Sequence, residues 1–204
     1  MPANIKALLE KYSKVENERF FQEVVINKEY EAAINKKADI VVDVGACAGE
    51  FGAYIYDKAG IIYSLEPYSG HYKELEETVD EFELSKIKPY KLALSNYNGE
   101  GTLVISTRGG NRLVAGEGND KTEKVQVKTL ATFMKDEKID HIDILKIDIE
   151  NGEDEVFTAL DFKDVASKIS FIIGEHAGSA VSDALRKNGF TFLDYPHGFT
   201  AERI

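Results

Sequence analysis

The chain has 204 residues, of which 43% are hydrophobic and 30% are charged, and its formal net charge is −11. This length and balance fit one globular domain and exclude a disordered, collagen-like or disulfide-stapled chain. Cys47 is the only cysteine, so an intrachain disulfide is excluded and a cytoplasmic location is expected. The acidic balance disfavours nucleic acid and anionic membranes as partners. We also expect no signal peptide and no membrane-spanning segment.

The N-terminal segment, residues 1–37, carries apolar residues at helical spacing between Asn4 and Lys37. This pattern predicts two helices with a break near Ser13. We expect the segment to pack on a domain formed by residues 38–204. An arm that binds a partner is the alternative.

From Ala38 onward, short apolar runs alternate with segments of helical pattern. The elements predicted between Ala38 and Leu94 are a strand at Asp39–Val44, a helix at Gly49–Ala59, a strand at Gly60–Leu65, a helix capped by Ser69 and ending near Phe82, and a strand at Ile87–Leu94. Strands and helices in alternation are typical of a parallel sheet with crossover helices.

Residues 99–129 depart from this alternation. Two segments of alternating polarity, Gly99–Ser106 and Glu123–Thr129, flank a loop rich in glycine and charge, Arg108–Thr122. We predict a β excursion beside the main sheet. The loop either covers a ligand site or is a flexible connection.

The strand-helix alternation then resumes up to the C-terminus. The predicted elements are helices at Thr129–Lys138, Glu150–Leu160 and Ser179–Asn188, strands at Ile142–Ile147 and Ile169–Ile173, and an antiparallel hairpin of Phe190–Tyr195 and Phe199–Ile204. The fold class expected is therefore α/β, with a doubly wound and mostly parallel sheet that ends in an antiparallel hairpin.

Polar residues and glycines gather where the predicted strands end, which is where open parallel sheets bind their ligands. The first strand runs into a turn containing Gly45 and Gly49, the second ends at Glu66, the fourth at Asp148, and the fifth at Glu175 and His176. The dinucleotide pattern G-x-G-x-x-G is not met, because Cys47 stands at its second glycine, and this disfavours NAD and FAD. An acid in the position of Glu66 can accept hydrogen bonds from both ribose hydroxyls of an adenosine.

Three segments carry a resemblance to a known family. Val42-Asp43-Val44-Gly45-Ala46-Cys47-Ala48-Gly49, Leu65-Glu66-Pro67 and Leu145-Lys146-Ile147-Asp148-Ile149-Glu150-Asn151-Gly152-Glu153 resemble motifs of the FkbM-type S-adenosylmethionine-dependent methyltransferases. The run from Ala93 to Leu103 is also similar to one in that family. The resemblance covers about residues 40–194, and Asn151 departs from it where the family often has glycine.

The resemblance implies a Rossmann-like class I methyltransferase sheet of seven strands, the last of them antiparallel. It implies that S-adenosylmethionine binds with its sulfonium methyl near Asp148, leaves as S-adenosylhomocysteine, and has its adenine beside Ser95 and Asn96. The residues expected to bind this cofactor are Asp43, Gly45, Ala46, Cys47, Gly49, Glu50, Phe51, Glu66, Pro67, Ser95, Asn96 and Asp148.

Transfer to a hydroxyl needs a base, and Asp148, Glu175 and His176 are the catalytic candidates, with Glu150 expected in the first turn of a helix. His176 titrates near neutral pH, although it could equally cap or pack in its turn. Asp148, Glu175 and His176 could also ligate Mg²⁺, but no spacing requires a metal, and we assign no metal site.

The leading hypothesis is O-methylation of a small molecule or a glycan, and the preference for sugars comes from the resemblance alone. A short-chain oxidoreductase is one alternative, since Tyr54 and Lys58 satisfy Tyr-x-x-x-Lys, although on the first helix and far from where that chemistry needs them. A nucleoside-binding module, or a methyltransferase fold without activity, is the other.

Overall fold

A computed structural model describes Leu8 and residues 30–34, 36–105, 111–114, 121–175, 178–196 and 198–204. We number the helices and strands of these residues separately, in chain order. The helices are α1 Glu31–Ile34, α2 Glu50–Ile55, α3 Ser69–Glu81, α4 Leu130–Asp136, α5 Glu153–Thr158, α6 Phe162–Ala166 and α7 Ser179–Lys187. The strands are β1 Ala38–Val44, β2 Ala59–Leu65, β3 Ile87–Tyr90, β4 Ala93–Leu94, β5 Gly99–Val104, β6 Arg112–Val114, β7 Thr122–Lys128, β8 Ile142–Ile147, β9 Ile169–Gly174, β10 Phe190–Tyr195 and β11 Gly198–Arg203.

The larger sheet has seven strands in the order β10-β11-β9-β8-β1-β2-β3. The pairs from β9 to β3 are parallel, whereas β11 is antiparallel to both β9 and β10. In the centre of the sheet, Val42 of β1 is aligned with Tyr63 of β2 and Leu145 of β8. Central parallel strands are covered on both faces, which explains their nearly continuous apolar sequences. The predicted fold class, an α/β sheet with an antiparallel C-terminal hairpin, is confirmed.

The core lies on both faces of this sheet. Successive residues of a strand point to opposite faces, and so Val41 and Val42 belong to two different apolar clusters. The cluster of Val41 also contains Leu8, Tyr30 and Ala33, all of them buried. The described part of the N-terminal segment therefore packs on the face of the sheet that contains Val41. The rest of the two predicted helices lies outside the described residues.

A second sheet confirms the predicted β excursion. Its strands lie in the order β4-β7-β5-β6, and every pair except β4 with β7 is antiparallel. Leu103, Val125 and Val127 form a small core of its own with Ala93. The predicted third strand, Ile87–Leu94, is wrong as one element, because its first half pairs with β2 and its second half with β7.

Two predicted helices also have different bounds in the structure. The helix expected from Gly49 to Ala59 is the shorter α2, and the helix expected from Glu150 begins three residues later, at α5. Glu150 and Asn151 have φ values of 56° and 73°, which a right-handed helix cannot contain. Among the described helices, none combines the length and the apolar character that a membrane span needs.

Candidate active site

A cleft of about 150 Å³ lies at the carboxyl edge of the larger sheet. One part of its lining comes from the ends of β1, β2 and β8, and another part comes from β4, β5 and β6 of the second sheet. The lining residues are Val44, Gly45, Cys47, Glu66, Pro67, His71, Leu92, Ala93, Leu94, Leu103, Asn111, Arg112, Leu113, Asp148, Ile149, Glu150, Asn151, Gly152 and Glu155. The second sheet therefore encloses the edge at which a parallel sheet binds ligands.

The turn after β1 packs tightly against the protein itself. Gly45 has a φ of 76°, and a β-carbon added there would lie 1.8 Å from the backbone oxygen of Asp148. At Gly49, with a φ of 97°, the added carbon would lie 2.8 Å from Cδ1 of Leu75. The atoms for which these two glycines leave room belong to neighbouring elements of the protein.

Glu66 follows β2 and is buried. Its Oε2 accepts a hydrogen bond from the Cys47 N–H at 3.0 Å, and its Oε1 accepts one from the Tyr68 N–H at 2.9 Å. Burial raises the pKa of this carboxyl to about 7, although the two backbone hydrogen bonds and Lys146 act in the opposite sense. Each carboxylate oxygen has a second lone pair. Glu66 can therefore tie two turns together and still accept hydrogen bonds from a ligand.

Lys146 lies in β8 and is only 3% exposed. Its ammonium group donates to the Gly45 carbonyl at 2.7 Å, and it lies 3.2 Å from Oδ1 of Asp43 and 4.0 Å from Oδ2 of Asp148. Burial disfavours the charge, but the two carboxylates outweigh burial and raise the pKa of Lys146. The charged lysine thus holds the ends of β1 and β8 together.

Tyr30, which precedes α1, reaches the same edge of the sheet. Its O–H donates a hydrogen bond to Oδ2 of Asp148 at 3.0 Å, and its ring packs edge-on against Phe51 with centroids 5.3 Å apart. Burial first, and then the Asp148 charge, raise the pKa of this phenol well above its usual value. Tyr30 therefore keeps its proton and acts as a donor to the carboxylate.

The loop between β8 and α5 forms one end of the cleft. Glu150 and Asn151 have positive φ, and both line the cleft. The Glu153 carboxylate, at the start of α5, accepts a hydrogen bond from the Ile149 N–H at 2.9 Å. This hydrogen bond closes the loop and stabilises the left-handed backbone at Glu150 and Asn151. Few residue types adopt that conformation without an energetic cost.

The sequence matches the family model of the methyltransferase FkbM domain over residues 43–192. The chain belongs to the FkbM methyltransferase family. The match runs from β1 into β10 and confirms the resemblance of the motifs. A search of curated proteins finds no match.

Solved structures of methyltransferases share the fold of this FkbM domain. The methyltransferase FkbM of Methylobacillus flagellatus KT has a TM-score of 0.55 at 12% identity, with 81% of this chain and 44% of that chain covered. A methyltransferase of Geobacter sulfurreducens has a TM-score of 0.54 at 13% identity, covering 100% and 92%. A proposed methyltransferase of Streptococcus mutans, solved in complex with S-adenosylhomocysteine, has a TM-score of 0.53 at 8% identity, covering 86% and 98%. This chain thus spans less than half of the Methylobacillus protein.

Five of the residues expected to bind the cofactor line the cleft of the FkbM domain: Gly45, Cys47, Glu66, Pro67 and Asp148. The others expected from the first motif and from the two residues after it do not line the cleft. Those residues are Asp43, Ala46, Gly49, Glu50 and Phe51, all buried.

The residues expected beside the adenine and the acceptor also lie outside the lining. Ser95 is buried and donates a hydrogen bond to Glu155, whereas Asn96 is exposed. Glu175 is half-buried at the end of β9. His176, the candidate base, lies outside the described residues.

Several charged or polar groups at this site were not predicted from the sequence. Lys146 could have been noticed as a lysine inside an apolar strand, and His71 as a side chain in the first turn after Glu66. His71 has its Nδ1 3.9 Å from Oε1 of Glu66, and burial lowers its pKa. Arg112 comes from a strand that the sequence pattern did not separate from its loop, and no pattern pointed to Tyr30.

Among the residues that the structure describes, no group of three or more His, Cys, Asp or Glu side chains could hold a metal ion. One of the three ligands considered for Mg²⁺, His176, is outside that part of the chain.

Proposed function

We propose that this FkbM domain is an S-adenosylmethionine-dependent methyltransferase that acts on a hydroxyl of a small molecule or a glycan. The observation that carries the proposal is the meeting of Glu66 and Asp148 in one cleft at the carboxyl edge of the sheet. Family membership supports methyl transfer, and the S-adenosylhomocysteine complex of the Streptococcus mutans neighbour supports this cofactor.

The residues present fit S-adenosylmethionine. Glu66 offers two buried carboxylate oxygens with spare lone pairs for the ribose hydroxyls. Ala93, Leu94 and Leu103 give the cleft an apolar portion suited to the adenine. Asp148 adds a negative charge that suits a sulfonium cation. Gly45, Cys47 and Pro67 would complete the contacts.

When bound, this cofactor supplies a methyl carbon activated by positively charged sulfur, and an attacking oxygen displaces the sulfur. The chain's own task is to align the two reactants, which can supply up to about 7–11 kcal/mol. Asp148 would accept the proton of the attacking hydroxyl, with Glu175 and His176 as further catalytic candidates. The second sheet would keep water away from the reacting atoms.

The alternatives find less support in the structure. Tyr54 and Lys58, the pair that would serve an oxidoreductase, are absent from the cleft lining. A module that binds the nucleoside without catalysis would still bind S-adenosylhomocysteine, but it would transfer no methyl group. Turnover therefore separates that reading from the proposed function.

The test combines thermal melting with a transfer assay. S-adenosylmethionine and S-adenosylhomocysteine should each raise the Tm, because a ligand that binds only the folded state stabilises it, whereas NAD and NADP should not. The transfer assay follows a labelled methyl group from S-adenosylmethionine to a panel of sugars and small-molecule alcohols. Asp148→Asn should lower the rate about 10²- to 10⁴-fold, and the control Asp140→Asn, at an exposed site before β8, should not. Equal rates in the two variants would remove Asp148 from the catalytic residues.

A further inference from the structure

The Asp148 carboxylate is held through one of its two oxygens. Both contacts that it makes within the described ranges, the hydrogen bond from Tyr30 at 3.0 Å and the ion pair with Lys146 at 4.0 Å, go to Oδ2. Oδ1 has no partner among the described residues. The side chain is 21% exposed and lines the cleft, so that Oδ1 is available to a bound molecule.

Lys146 by itself cannot fix the orientation of this carboxylate. Its shorter contacts go to the Gly45 carbonyl at 2.7 Å and to Asp43 at 3.2 Å. The terminal torsion of an aspartate is broad, and an ion pair of 4.0 Å leaves the plane of the carboxylate free to rotate. The Tyr30 hydrogen bond is directional; it therefore fixes the orientation of the carboxylate and with it the direction in which the other oxygen points.

The Tyr30 phenol is itself firmly placed. The ring packs edge-on against Phe51 and lies 5.8 Å from the Lys146 ammonium group, and the residue is 4% exposed. A side chain held on two sides loses little further freedom when its O–H bonds to the carboxylate.

We propose that Tyr30 is a positioning residue of the active site, which holds Oδ2 of Asp148 and so directs Oδ1 at the methyl donor. This inference rests on the function proposed above. It makes the N-terminal segment a part of the site, although no sequence motif of the methyl-donor site includes it. A directed Oδ1 favours S-adenosylmethionine over its product S-adenosylhomocysteine, because only the former carries a positive charge on the sulfur beside which the carboxylate would lie.

The experiment is calorimetric titration of wild type and Tyr30→Phe with each of these two molecules. The variant keeps the ring and removes the O–H. We expect its affinity for S-adenosylmethionine to fall about fivefold, within the range of couplings between contacting residues, and its affinity for S-adenosylhomocysteine to stay unchanged. A purely structural role would weaken both to the same degree. The matched control is Tyr90→Phe, since Tyr90 also donates to a carboxylate, that of Glu137, but with its O–H directed at a residue outside the cleft lining.

A double-mutant cycle with Asp148→Asn completes the test. In the Asp148→Asn background, Tyr30→Phe should not change the preference between the two molecules any further. In the double variant an amide replaces the Asp148 carboxylate, so the loss of the Tyr30 O–H leaves no charged group without its donor. The double variant therefore stays measurable if Tyr30→Phe alone is unstable. Equal losses of affinity for both molecules, or an unchanged preference in Tyr30→Phe, would overturn this inference alone. A wild-type chain that binds neither molecule would overturn the proposed function as well.

Discussion

Gly45 follows β1 and lies against the backbone of Asp148, and its lack of a side chain permits this contact. The turn after β1 therefore packs closely against the end of β8. The backbone oxygen of Asp148 occupies the space that any side chain at Gly45 would need. Gly45 therefore contributes to the position of Asp148.

Gly45→Ala should therefore destabilise the whole fold. Alanine at position 45 is strained by the positive φ, and its β-carbon also collides with a backbone atom that must move. The control is Gly99→Ala, because Gly99 has a φ of 145° and open space around it. This control measures the backbone strain without the collision. We expect Gly45→Ala to cost about 2 kcal/mol more than Gly99→Ala, the typical effect of overpacking. Urea denaturation of both variants measures the difference. Equal losses would show that the close approach to Asp148 can relax.

Single residues at strand ends were predictable from the sequence, whereas their partners were not. Glu66 and Asp148 follow apolar runs, and this position alone predicts that they meet at one edge of the sheet. The Tyr30 contact joins residues that are 118 positions apart, and nothing local in the sequence encodes such a pairing.

At the scale of an element, the loop between β8 and α5 adopts a left-handed backbone at two residues that carry side chains. Asn151 occupies the position where the family often has glycine, and its φ is 73°. Asparagine tolerates the left-handed region better than other residues with a side chain. Asparagine therefore suits the turn that follows Asp148 at the cleft.

Replacement of Asn151 should show this preference directly. We expect Asn151→Ala to lower the free energy of unfolding by about 1 kcal/mol, and Asn151→Gly to leave it nearly unchanged. The exposed Asn96 has no positive φ, and Asn96→Ala serves as the control. Thermal melting of the three variants measures the effect. An Asn151→Ala variant as stable as wild type would mean that the loop adopts another backbone conformation.

Element boundaries were less predictable than element types. Ile87–Leu94 reads as one apolar strand, yet the chain leaves the larger sheet after Tyr90 and pairs Ala93 with Val127. An apolar run indicates burial but not which sheet provides it. Glu150 likewise suits a first helical turn by charge, but the backbone turns through the left-handed region before α5 begins.

For the molecule as a whole, buried carboxyls make stability depend on pH. Burial raises the pKa of Glu50 from 4.5 to about 7, so between these pH values the folded chain binds more protons than the unfolded chain. The free energy of unfolding should then fall as the pH rises from about 4.5 to 7, and level off above pH 7. Glu50 should account for up to about 3 kcal/mol of this fall.

Glu50→Gln should remove this contribution. We expect a higher Tm than wild type at pH 8 and a similar Tm at pH 4.5, while Glu77→Gln, at an exposed position, should follow wild type at both. Melting curves across this range provide the comparison. A Tm difference between Glu50→Gln and wild type that does not vary with pH would contradict the raised pKa.

The central claim is that the cleft between the two sheets binds S-adenosylmethionine through Glu66. Calorimetric titration of S-adenosylhomocysteine into wild type, Glu66→Ala and the exposed-site control Glu77→Ala tests it most directly, with NAD as the competing ligand. We predict binding to wild type and to the control, a loss of about 1.5–3 kcal/mol in Glu66→Ala from charge-assisted hydrogen bonds, and no binding of NAD. Binding of NAD in place of S-adenosylhomocysteine, or equal affinity for S-adenosylhomocysteine in wild type and Glu66→Ala, would contradict the claim.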